Sequence, residues 1–329
     1  MLVTGGTGFV GTHLVSELLK QGAFIRVPIH HRDPIVTDPR IETVRADLTC
    51  PADCLSIMAG MDYVFHAAGA VGAAGVSPSH QLDGIATNLI LTSRVLQGAW
   101  EAGVKRFLLL SSSTVYPAFG HPVKEEETWD GPPHPTYIGY GWMKRYLEKL
   151  AEFVALRSAL KIAIVRPTAV YGRWDDFDPN TSHVIPALIV RATRKENPFV
   201  VWGTGDEIRD FLHITDLARG CLLALEKYAV CDPINIGYGD IVSIRQVVEI
   251  VLKTAGHYGA EVIFDESKPT TIPFRSVDTS RAKAILAFTP AISLGEGLND
   301  TVGWYVETIN SKKVIETKEK STVTVVSRN

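Results

Sequence analysis

Residues 1–11 read MLVTGGTGFVG, and this stretch decides the fold of the chain. A short apolar run leads directly into glycine. Gly5, Gly8 and Gly11 are three residues apart, and Gly6, Gly8 and Gly11 also match G-x-G-x-x-G. Apolar residues at helical spacing follow this turn. The pattern predicts a strand, a tight turn and a helix.

Glycine at these positions suits a turn that binds a pyrophosphate. It lets the backbone bend sharply, and the missing side chains leave amide N–H groups free to reach an anion at the helix N-terminus. The strand before the turn and the helix after it favour a dinucleotide site. A glycine-rich connection that binds no ligand is the alternative.

The composition excludes several classes of protein. The chain has 329 residues and a formal net charge of −3, which gives no general attraction to nucleic acid or to anionic membranes. It has no run of about 18 apolar residues and begins in a strand without a basic leader, so we expect no membrane span and no signal peptide. Four cysteines without C-x-x-C spacing indicate a reduced, cytoplasmic protein with no metal site.

Strand-like and helix-like segments alternate along the first half of the chain. This order is typical of a parallel sheet with helices on both faces. We therefore expect an α/β protein with a doubly wound parallel sheet of the Rossmann type and a smaller C-terminal substrate-binding lobe. The expected divisions are an NAD(P)-binding domain at 1–172 with about 208–238, a lobe at 173–207 and 239–310 with its last helix at Leu294–Val306, and a flexible tail at 311–329.

The end of the second strand indicates which dinucleotide binds. An acidic residue there would bond to the ribose 2′-hydroxyl of NAD, whereas cations would accept the 2′-phosphate of NADP. This chain has His30, His31 and Arg32 after Ile29, which favours NADP and leaves NAD possible. Solvated loop residues without a ligand are the alternative.

Two further strand ends are expected to line the dinucleotide. The third strand, predicted at Val44–Leu48, places Asp47 where it can reach the adenine. The fourth strand, DYVFHAA, ends in the small residues Ala67 and Ala68, where a flat cofactor must pass, and its His66 is expected to be a packed core residue. The predicted cofactor-binding residues are Gly5, Gly8, Phe9, Val10, Gly11, His30, Arg32, Asp47, Leu48, Ala67, Ala68, Tyr140, Lys144, Pro167 and Val170.

A tyrosine and a lysine carry the predicted chemistry. Tyr140 and Lys144 are four residues apart in YGWMK, so both side chains point to one spot on a helix. A tyrosine with a pKa of about 10 is a poor acid or base at neutral pH, and a nearby ammonium favours its phenolate. The fifth strand ends in Ser112, Ser113 and Thr114, whose hydroxyls lie where ligands bind in open α/β sheets and complete a proton path to a substrate oxygen.

Later segments supply groups for a substrate. His183 follows a polar loop at the start of an apolar helix, which places it to face a cleft. Trp202 offers a flat face for a base, and Arg209 and Arg275 offer cations for phosphate. The predicted substrate-binding residues are Thr114, Asn180, His183, Val184, Trp202, Arg209 and Arg275.

Several sequence motifs resemble one enzyme family. Five motifs are similar, in this order, to the signatures of the extended short-chain dehydrogenase/reductases that modify nucleotide-activated sugars. They are TGGTGFVG, DYVFHAA, SSSTVYP, YGWMK and RPTAVYG. DDFDPNTSHVIPALI and VWGTGDEIRDFLHITDLA are most similar to the GDP-L-fucose synthases, which are GDP-4-keto-6-deoxymannose epimerase/reductases. The resemblance covers nearly the whole chain except the tail. It implies a nucleoside-diphosphate sugar as substrate, NADP or NAD as cofactor, and a homodimer paired through the Tyr–Lys helix and the long helix before the fifth strand.

The resemblance also implies a role for each candidate residue. Tyr140 would protonate the C4 oxygen of the sugar during hydride transfer, assisted by Lys144 and Ser112. Lys144 would also hold the nicotinamide ribose, and His183 would be the acid in the epimerisation steps. The implied contacts with the nucleotide are Arg209 at the diphosphate and Trp202 at its border.

Thr114 departs from the GDP-L-fucose synthase pattern, which has a cysteine as the epimerisation base at this position. A threonine hydroxyl is too weak to remove a carbon-bound proton unaided. The favoured activity is therefore reduction of a 4-keto-6-deoxy sugar nucleotide, such as GDP-4-keto-6-deoxymannose, with or without epimerisation. An NAD-dependent nucleotide-sugar 4-epimerase or dehydratase is the alternative. A non-catalytic dinucleotide sensor is a further one, which the Tyr140–Lys144 pair disfavours.

Overall fold

The computed structural model describes residues 1–70, 78–268 and 270–326. Its α-helices are α1 (Phe9–Lys20), α2 (Pro51–Met58), α3 (Pro78–Glu101), α4 (Ile138–Arg157), α5 (Val184–Thr193), α6 (Ile214–Lys227), α7 (Ile244–Thr254) and α8 (Leu294–Val326). Its strands are β1 (Leu2–Thr4), β2 (Ile25–Ile29), β3 (Ile41–Arg45), β4 (Tyr63–His66), β5 (Arg106–Leu110), β6 (Lys161–Pro167), β7 (Ala169–Tyr171), β8 (Phe199–Trp202), β9 (Ile208–Arg209), β10 (Phe211–His213), β11 (Pro233–Ile236), β12 (Val242–Ser243), β13 (Val262–Asp265) and β14 (Phe274–Arg275).

Seven of the described strands form one sheet in the order β11-β6-β5-β4-β1-β2-β3, and every neighbouring pair is parallel. The chain leaves β1 toward β2 and β3, then crosses to β4 on the other side of β1. This reversal opens a crevice above the carboxyl ends of β1 and β4, where open α/β sheets bind their ligands. The doubly wound α/β fold predicted from the sequence is confirmed.

The central strands send apolar side chains to both faces of the sheet. Ala163 and Val165 of β6 belong to the same core as α1 and α6, whereas Ile162 and Ile164 belong to the core of α2, α3 and α4. Strands buried on both faces read as nearly continuous apolar runs. Polar groups are therefore concentrated near the strand ends, where the candidate site lies.

His66 is a packed core residue, as its position inside an apolar strand predicts. It is 3% exposed, and its two ring nitrogens lie 2.8 Å from Thr4 Oγ1 and 3.0 Å from Thr92 Oγ1. Burial lowers the pKa of His66 to about 3, so the ring is neutral.

A second core lies outside the main sheet. Helices α5, α7 and α8 pack with β8 around Phe199, Val247, Val251 and Leu298. Strand β8 pairs with β13, β9 lies between β12 and β14, and β7 pairs with β10. Within the described ranges, no helix is long and apolar enough to cross a membrane.

Two element boundaries correct the sequence prediction. Strand β3 ends at Arg45, so Asp47 lies in the turn after it, where its carboxylate accepts the Thr49 N–H and thereby favours a turn over a strand. Helix α8 continues past Val306 to Val326, through most of the segment predicted as a tail, because neither glycine nor proline interrupts it after Gly303. Residues 327–329 of the predicted tail lie outside the described residues.

Candidate active site

The glycine turn after β1 closes on itself and on the end of β4. The Gly8 N–H donates to Gly5 O at 2.9 Å, and Gly5 has a φ of +69°, which favours glycine. A Cβ at Gly11 would lie 2.0 Å from Gly5 O, and a Cβ at Gly5 would lie 2.6 Å from Ala68 N and 2.7 Å from the Ala67 carbonyl. These close contacts explain why only glycine fits at both positions. The turn leads directly into the N-terminus of α1, where amides without a helical acceptor are suited to an anion.

Two histidines and an arginine lie at the end of this crevice next to β2. His30, His31 and Arg32 are exposed directly after β2, and the two imidazole centroids are 3.7 Å apart. Hydrogen bonds from Thr49 lower the pKa of Asp47, and the nearby His30 and His31 lower it further. The predicted cofactor contacts beyond this end are Leu48 in the turn after β3, Pro167 at the end of β6 and Val170 in β7. The binding roles of these residues stay predictions.

Helix α4 places the tyrosine and the lysine beside the end of β5. Lys144 Nζ donates to Leu110 O at 2.8 Å and lies 5.6 Å from the centroid of the Tyr140 ring. Ser112 caps the 3-10 turn that follows β5, because its Oγ accepts the Thr114 N–H at 3.2 Å. The lysine is thus fixed to the strand end while its charge lies close to the phenol ring.

Close backbone packing brings the Tyr–Lys helix against the serine-rich turn. A Cβ at Gly141 would lie 2.5 Å from Thr114 O, so α4 approaches this turn where only glycine fits. Arg145 Nε donates to Val115 O at 2.8 Å and ties the next turn of the helix to the same segment. Neither Gly141 nor Arg145 is among the residues predicted from the sequence. The available signal was the glycine directly after Tyr140.

Two arginines lie side by side in the small sheet. Arg209 of β9 and Arg275 of β14 are partners in the parallel register. Arg275 Nη2 donates to Ser113 Oγ at 2.8 Å, and Arg209 Nη2 donates to Thr271 Oγ1 at 3.0 Å. Burial lowers the pKa of Arg209, and the charge of Arg275 lowers it further. Neither guanidinium takes part in an ion pair within the described residues, so the pair is suited to an anion with two charges, such as a diphosphate.

A small cavity of about 20 Å³, enough for about one water molecule, lies beside Arg275 and the serine-rich turn. Its wall contains three buried polar atoms without a hydrogen-bond partner among the described residues: Thr114 Oγ1, Arg275 Nε and Ser276 Oγ. Buried polar atoms in proteins are normally hydrogen-bonded. Unpartnered atoms beside a cavity of this size are suited to a bound water or a ligand hydroxyl. Ser276 therefore joins the candidate site, although it is not among the residues predicted from the sequence.

His183 is electrostatically coupled to the arginine pair, whereas Trp202 is not linked to it by any described contact. His183 is the N-cap of α5 and its side chain is exposed. Neighbouring segments that partly exclude water lower its pKa, Asp176 opposes this effect and Arg275 adds to it. Trp202 ends β8 and is 59% exposed. The other predicted substrate contacts, both exposed near His183, are Asn180 and Val184.

Known proteins are similar to this chain over most of its length. It is 33% identical over 320 residues to the putative GDP-L-fucose synthase 2 of Arabidopsis thaliana, which covers 95% of the chain and 93% of the relative. It is 30% identical over 317 residues to a dTDP-4-dehydro-6-deoxy-D-allose reductase of a Streptomyces species, with 93% and 95% covered. The structure of the UDP-glucose 4-epimerase of Thermotoga maritima with UDP-glucose superposes with a TM-score of 0.83 at 27% identity, covering 94% of this chain and 99% of the other.

The family match includes the glycine turn and the Tyr–Lys pair. Residues 1–237 match the NAD dependent epimerase/dehydratase family, a range that contains Gly5, Gly11, Tyr140 and Lys144. The resemblance inferred from the motifs and the expected nicotinamide dinucleotide cofactor are thereby confirmed. The chain belongs to the NAD dependent epimerase/dehydratase family and is an enzyme of the nucleotide-sugar epimerase/reductase kind.

Proposed function

We propose that this enzyme uses NADPH to reduce the 4-keto group of a 4-keto-6-deoxy sugar nucleotide, such as GDP-4-keto-6-deoxymannose. One contact carries the proposal: Arg275 Nη2 donates to Ser113 Oγ at 2.8 Å and joins the arginine pair to the turn beside Tyr140. A diphosphate held by Arg209 and Arg275 would extend its sugar over this turn and toward the phenol. Such positioning supplies a large part of the rate enhancement in enzymes.

The relatives support a keto deoxy sugar as the substrate class. One is named a GDP-L-fucose synthase and another a dTDP-4-dehydro-6-deoxy-D-allose reductase, and each aligns over more than nine-tenths of this chain. Beside Arg275, Thr114 Oγ1 and Ser276 Oγ have no partner within the described residues and are suited to hydrogen bonds with a bound polar group. Sugar hydroxyls would satisfy both atoms.

The residues around the crevice fit a dinucleotide. When bound, the nicotinamide supplies the hydride. The turn at Gly5–Gly11 would hold the pyrophosphate, and His30 and Arg32 would hold the 2′-phosphate of NADP. Lys144, fixed at Leu110 O, would hold the nicotinamide ribose near Tyr140.

Tyr140 would donate the proton that the C4 oxygen needs as it becomes a hydroxyl. The phenolate left behind is stabilised by the Lys144 ammonium, which lies 5.6 Å from the ring centroid. Ser112 Oγ already accepts the Thr114 N–H, so its own proton remains available for a hydrogen bond to the same C4 oxygen. Both groups stabilise the charge that develops on oxygen.

Epimerisation would need a base other than Thr114. Its hydroxyl is buried and cannot remove a carbon-bound proton unaided. His183, close enough to feel the charge of Arg275, would return the proton in such a step. The reduction does not depend on this second activity.

The test supplies purified enzyme with NADPH and the GDP-, UDP- and dTDP-linked 4-keto-6-deoxy sugars in turn, in D₂O. We expect NADPH oxidation with at least one of them, loss of turnover in Tyr140→Phe, and normal turnover in Tyr146→Phe, whose side chain lies on the same helix and is 58% exposed. NMR of the product reports deuterium at C3 and C5 when epimerisation accompanies reduction. Absence of NADPH oxidation with every keto sugar would exclude the proposal.

A nucleotide-sugar 4-epimerase is the second candidate. Thr114 favours it, and so does the similarity to the Thermotoga maritima UDP-glucose 4-epimerase. Its signature is interconversion of UDP-glucose and UDP-galactose without net consumption of NADPH, by protein that retains bound dinucleotide through purification.

A further inference from the structure

A buried ion pair lies beneath the Tyr–Lys helix. Glu148 follows Lys144 by one helical turn, and Arg166 of β6 donates to it twice, from Nε to Oε1 at 2.9 Å and from Nη2 to Oε2 at 2.6 Å. The two side chains are only 3% and 6% exposed. Buried ion pairs give a fold little net stability, because the loss of hydration offsets the attraction between the charges. Stability alone is therefore a weak reason for this pair.

The Glu148–Arg166 pair lies next to the residues of the predicted proton path. Lys144 Nζ donates to Leu110 O, and one turn later Glu148 Oε1 accepts the hydroxyl of Ser111. Two successive turns of α4 thus hold two successive residues of the strand end, and Ser112 is the next residue of the chain. Together with the hydrogen bond from Arg145 Nε to Val115 O, these two contacts hold α4 against the segment that contains Ser112.

Arg166 also bonds to side chains outside α4 and β5. Its Nη1 donates to Tyr116 OH at 3.0 Å and to Thr128 Oγ1 at 2.6 Å. The Tyr116 hydroxyl donates in turn to Asn235 Oδ1 at 2.6 Å on β11. The cluster of Ser111, Glu148, Arg166 and Tyr116 therefore connects α4, β5, β6 and β11 below the site.

We propose that Glu148 and Arg166 are positioning residues: through Ser111 they fix α4 on β5, and so hold Tyr140 and Ser112 at the distance that proton transfer requires. The inference rests on the proposed function, because it takes Tyr140 as the proton donor. A displacement of about 1 Å in a catalytic group lowers turnover on the order of a hundredfold. Loss of the Glu148–Arg166 pair therefore lowers kcat more than it weakens substrate binding.

The decisive variant replaces both charges together, Glu148→Leu with Arg166→Met. Exchanging a buried pair for apolar side chains of similar volume is often neutral for stability. Tyr116 still bonds to Asn235 and Thr128 Oγ1 still donates to Glu125 O at 2.7 Å, whereas Ser111 Oγ loses its acceptor, Glu148 Oε1. Ser111→Ala is the smaller companion variant, and Glu152→Gln is the matched control, since Glu152 pairs with Lys149 on the exposed face of the same helix.

Each variant is assayed with NADPH and the keto sugar nucleotide that the wild-type enzyme reduces, together with its Tm and its Kd for NADPH. We expect the double variant to keep its Tm and to lose at least tenfold in kcat, with KM and the NADPH Kd within twofold of wild type. Ser111→Ala is expected to lose about tenfold in kcat, and Glu152→Gln to match wild type. A purely structural role would lower the Tm and leave kcat per folded enzyme unchanged.

A folded double variant with kcat within twofold of wild type overturns the inference. If the double variant does not fold, Ser111→Ala decides in the same way by its kcat. Tyr140→Phe separates the two proposals: full turnover in that variant refutes the proposed function, whereas an inactive Tyr140→Phe beside a fully active double variant refutes the positioning role alone.

Discussion

The buried side chain of His13 makes the stability of the fold depend on pH. It lies in α1, 7% exposed, with Nε2 3.0 Å from Arg173 O and its ring 4.9 Å from the Trp174 ring. A carbonyl oxygen only accepts, so Nε2 must carry the proton. Burial lowers the pKa of His13 to about 4 from 6.5, and the ring is neutral in the folded protein.

This low pKa predicts acid sensitivity. His13 takes up a proton more readily in the unfolded chain than in the folded protein. The free energy of unfolding is therefore at its full value above pH 6.5 and decreases as the pH falls toward 4. The loss amounts to about 2 kcal/mol at pH 5. In urea titrations at pH 7.5 and pH 5, His13→Gln should shrink the difference in unfolding free energy by about this amount. An unaltered difference in His13→Gln would refute the assignment.

Arg32 is predicted to select the cofactor. It is exposed after β2, with Asp33 only after it in the chain, and would contact only the 2′-phosphate of NADP. Arg32→Ala should weaken NADPH binding about tenfold, which corresponds to about 1.4 kcal/mol. NADH, which lacks the phosphate, is the matched control, and its Kd in fluorescence titrations should not change. Equal losses for both dinucleotides would argue against this role.

At the scale of elements, the residue pattern within each segment predicted the strands and the Tyr–Lys helix. It did not predict which of these elements pack against each other. The apolar runs of β4, β5 and β6 and the i,i+4 spacing of Tyr140 and Lys144 are properties of short segments. Arg209 and Arg275 are neighbours only because β9 and β14 pair, and no spacing within either strand signals that pairing. Glu148 likewise finds Arg166 across a helix–strand contact, which periodicity does not reveal.

The turn between β1 and α1 tolerates no side chain at Gly11. A Cβ there would lie 2.0 Å from Gly5 O, so Gly11→Ala must open the turn. We expect a loss of about 3 kcal/mol in unfolding free energy and at least a tenfold weaker Kd for NADPH. Gly303→Ala is the control, because nothing lies within 4 Å of its added Cβ, and a helical alanine should stabilise by about 0.5–1 kcal/mol. Normal NADPH binding by Gly11→Ala would refute the assignment of this turn to the pyrophosphate.

At the scale of the whole molecule, one face of α3 and α4 is more apolar than a monomer requires. Trp100, Tyr146, Phe153 and Leu156 are 38%, 58%, 52% and 77% exposed, and the rings of Trp100 and Phe153 are 6.4 Å apart across the two helices. Contiguous exposed apolar surface marks interaction sites. Together with the resemblance, which implies pairing through these helices, this face predicts a homodimer.

Sedimentation tests the dimer directly. Wild-type protein should sediment as a dimer at micromolar concentration, and Phe153→Glu with Leu156→Glu should sediment as a monomer, because two charges per subunit would have to be buried. Phe24→Glu is the control, since Phe24 is 74% exposed and far from this face in the chain. A wild-type protein that stays monomeric would remove the prediction.

The central claim is that the Tyr140 phenol transfers a proton to the substrate beside the Lys144 ammonium. Its most direct measurement is the rate of a single turnover of Tyr140→Phe with NADPH and GDP-4-keto-6-deoxymannose. Removing a general acid costs on the order of 10²- to 10⁴-fold, so the account predicts a fall of at least about a hundredfold with unchanged NADPH binding. A rate within a few-fold of wild type would contradict it.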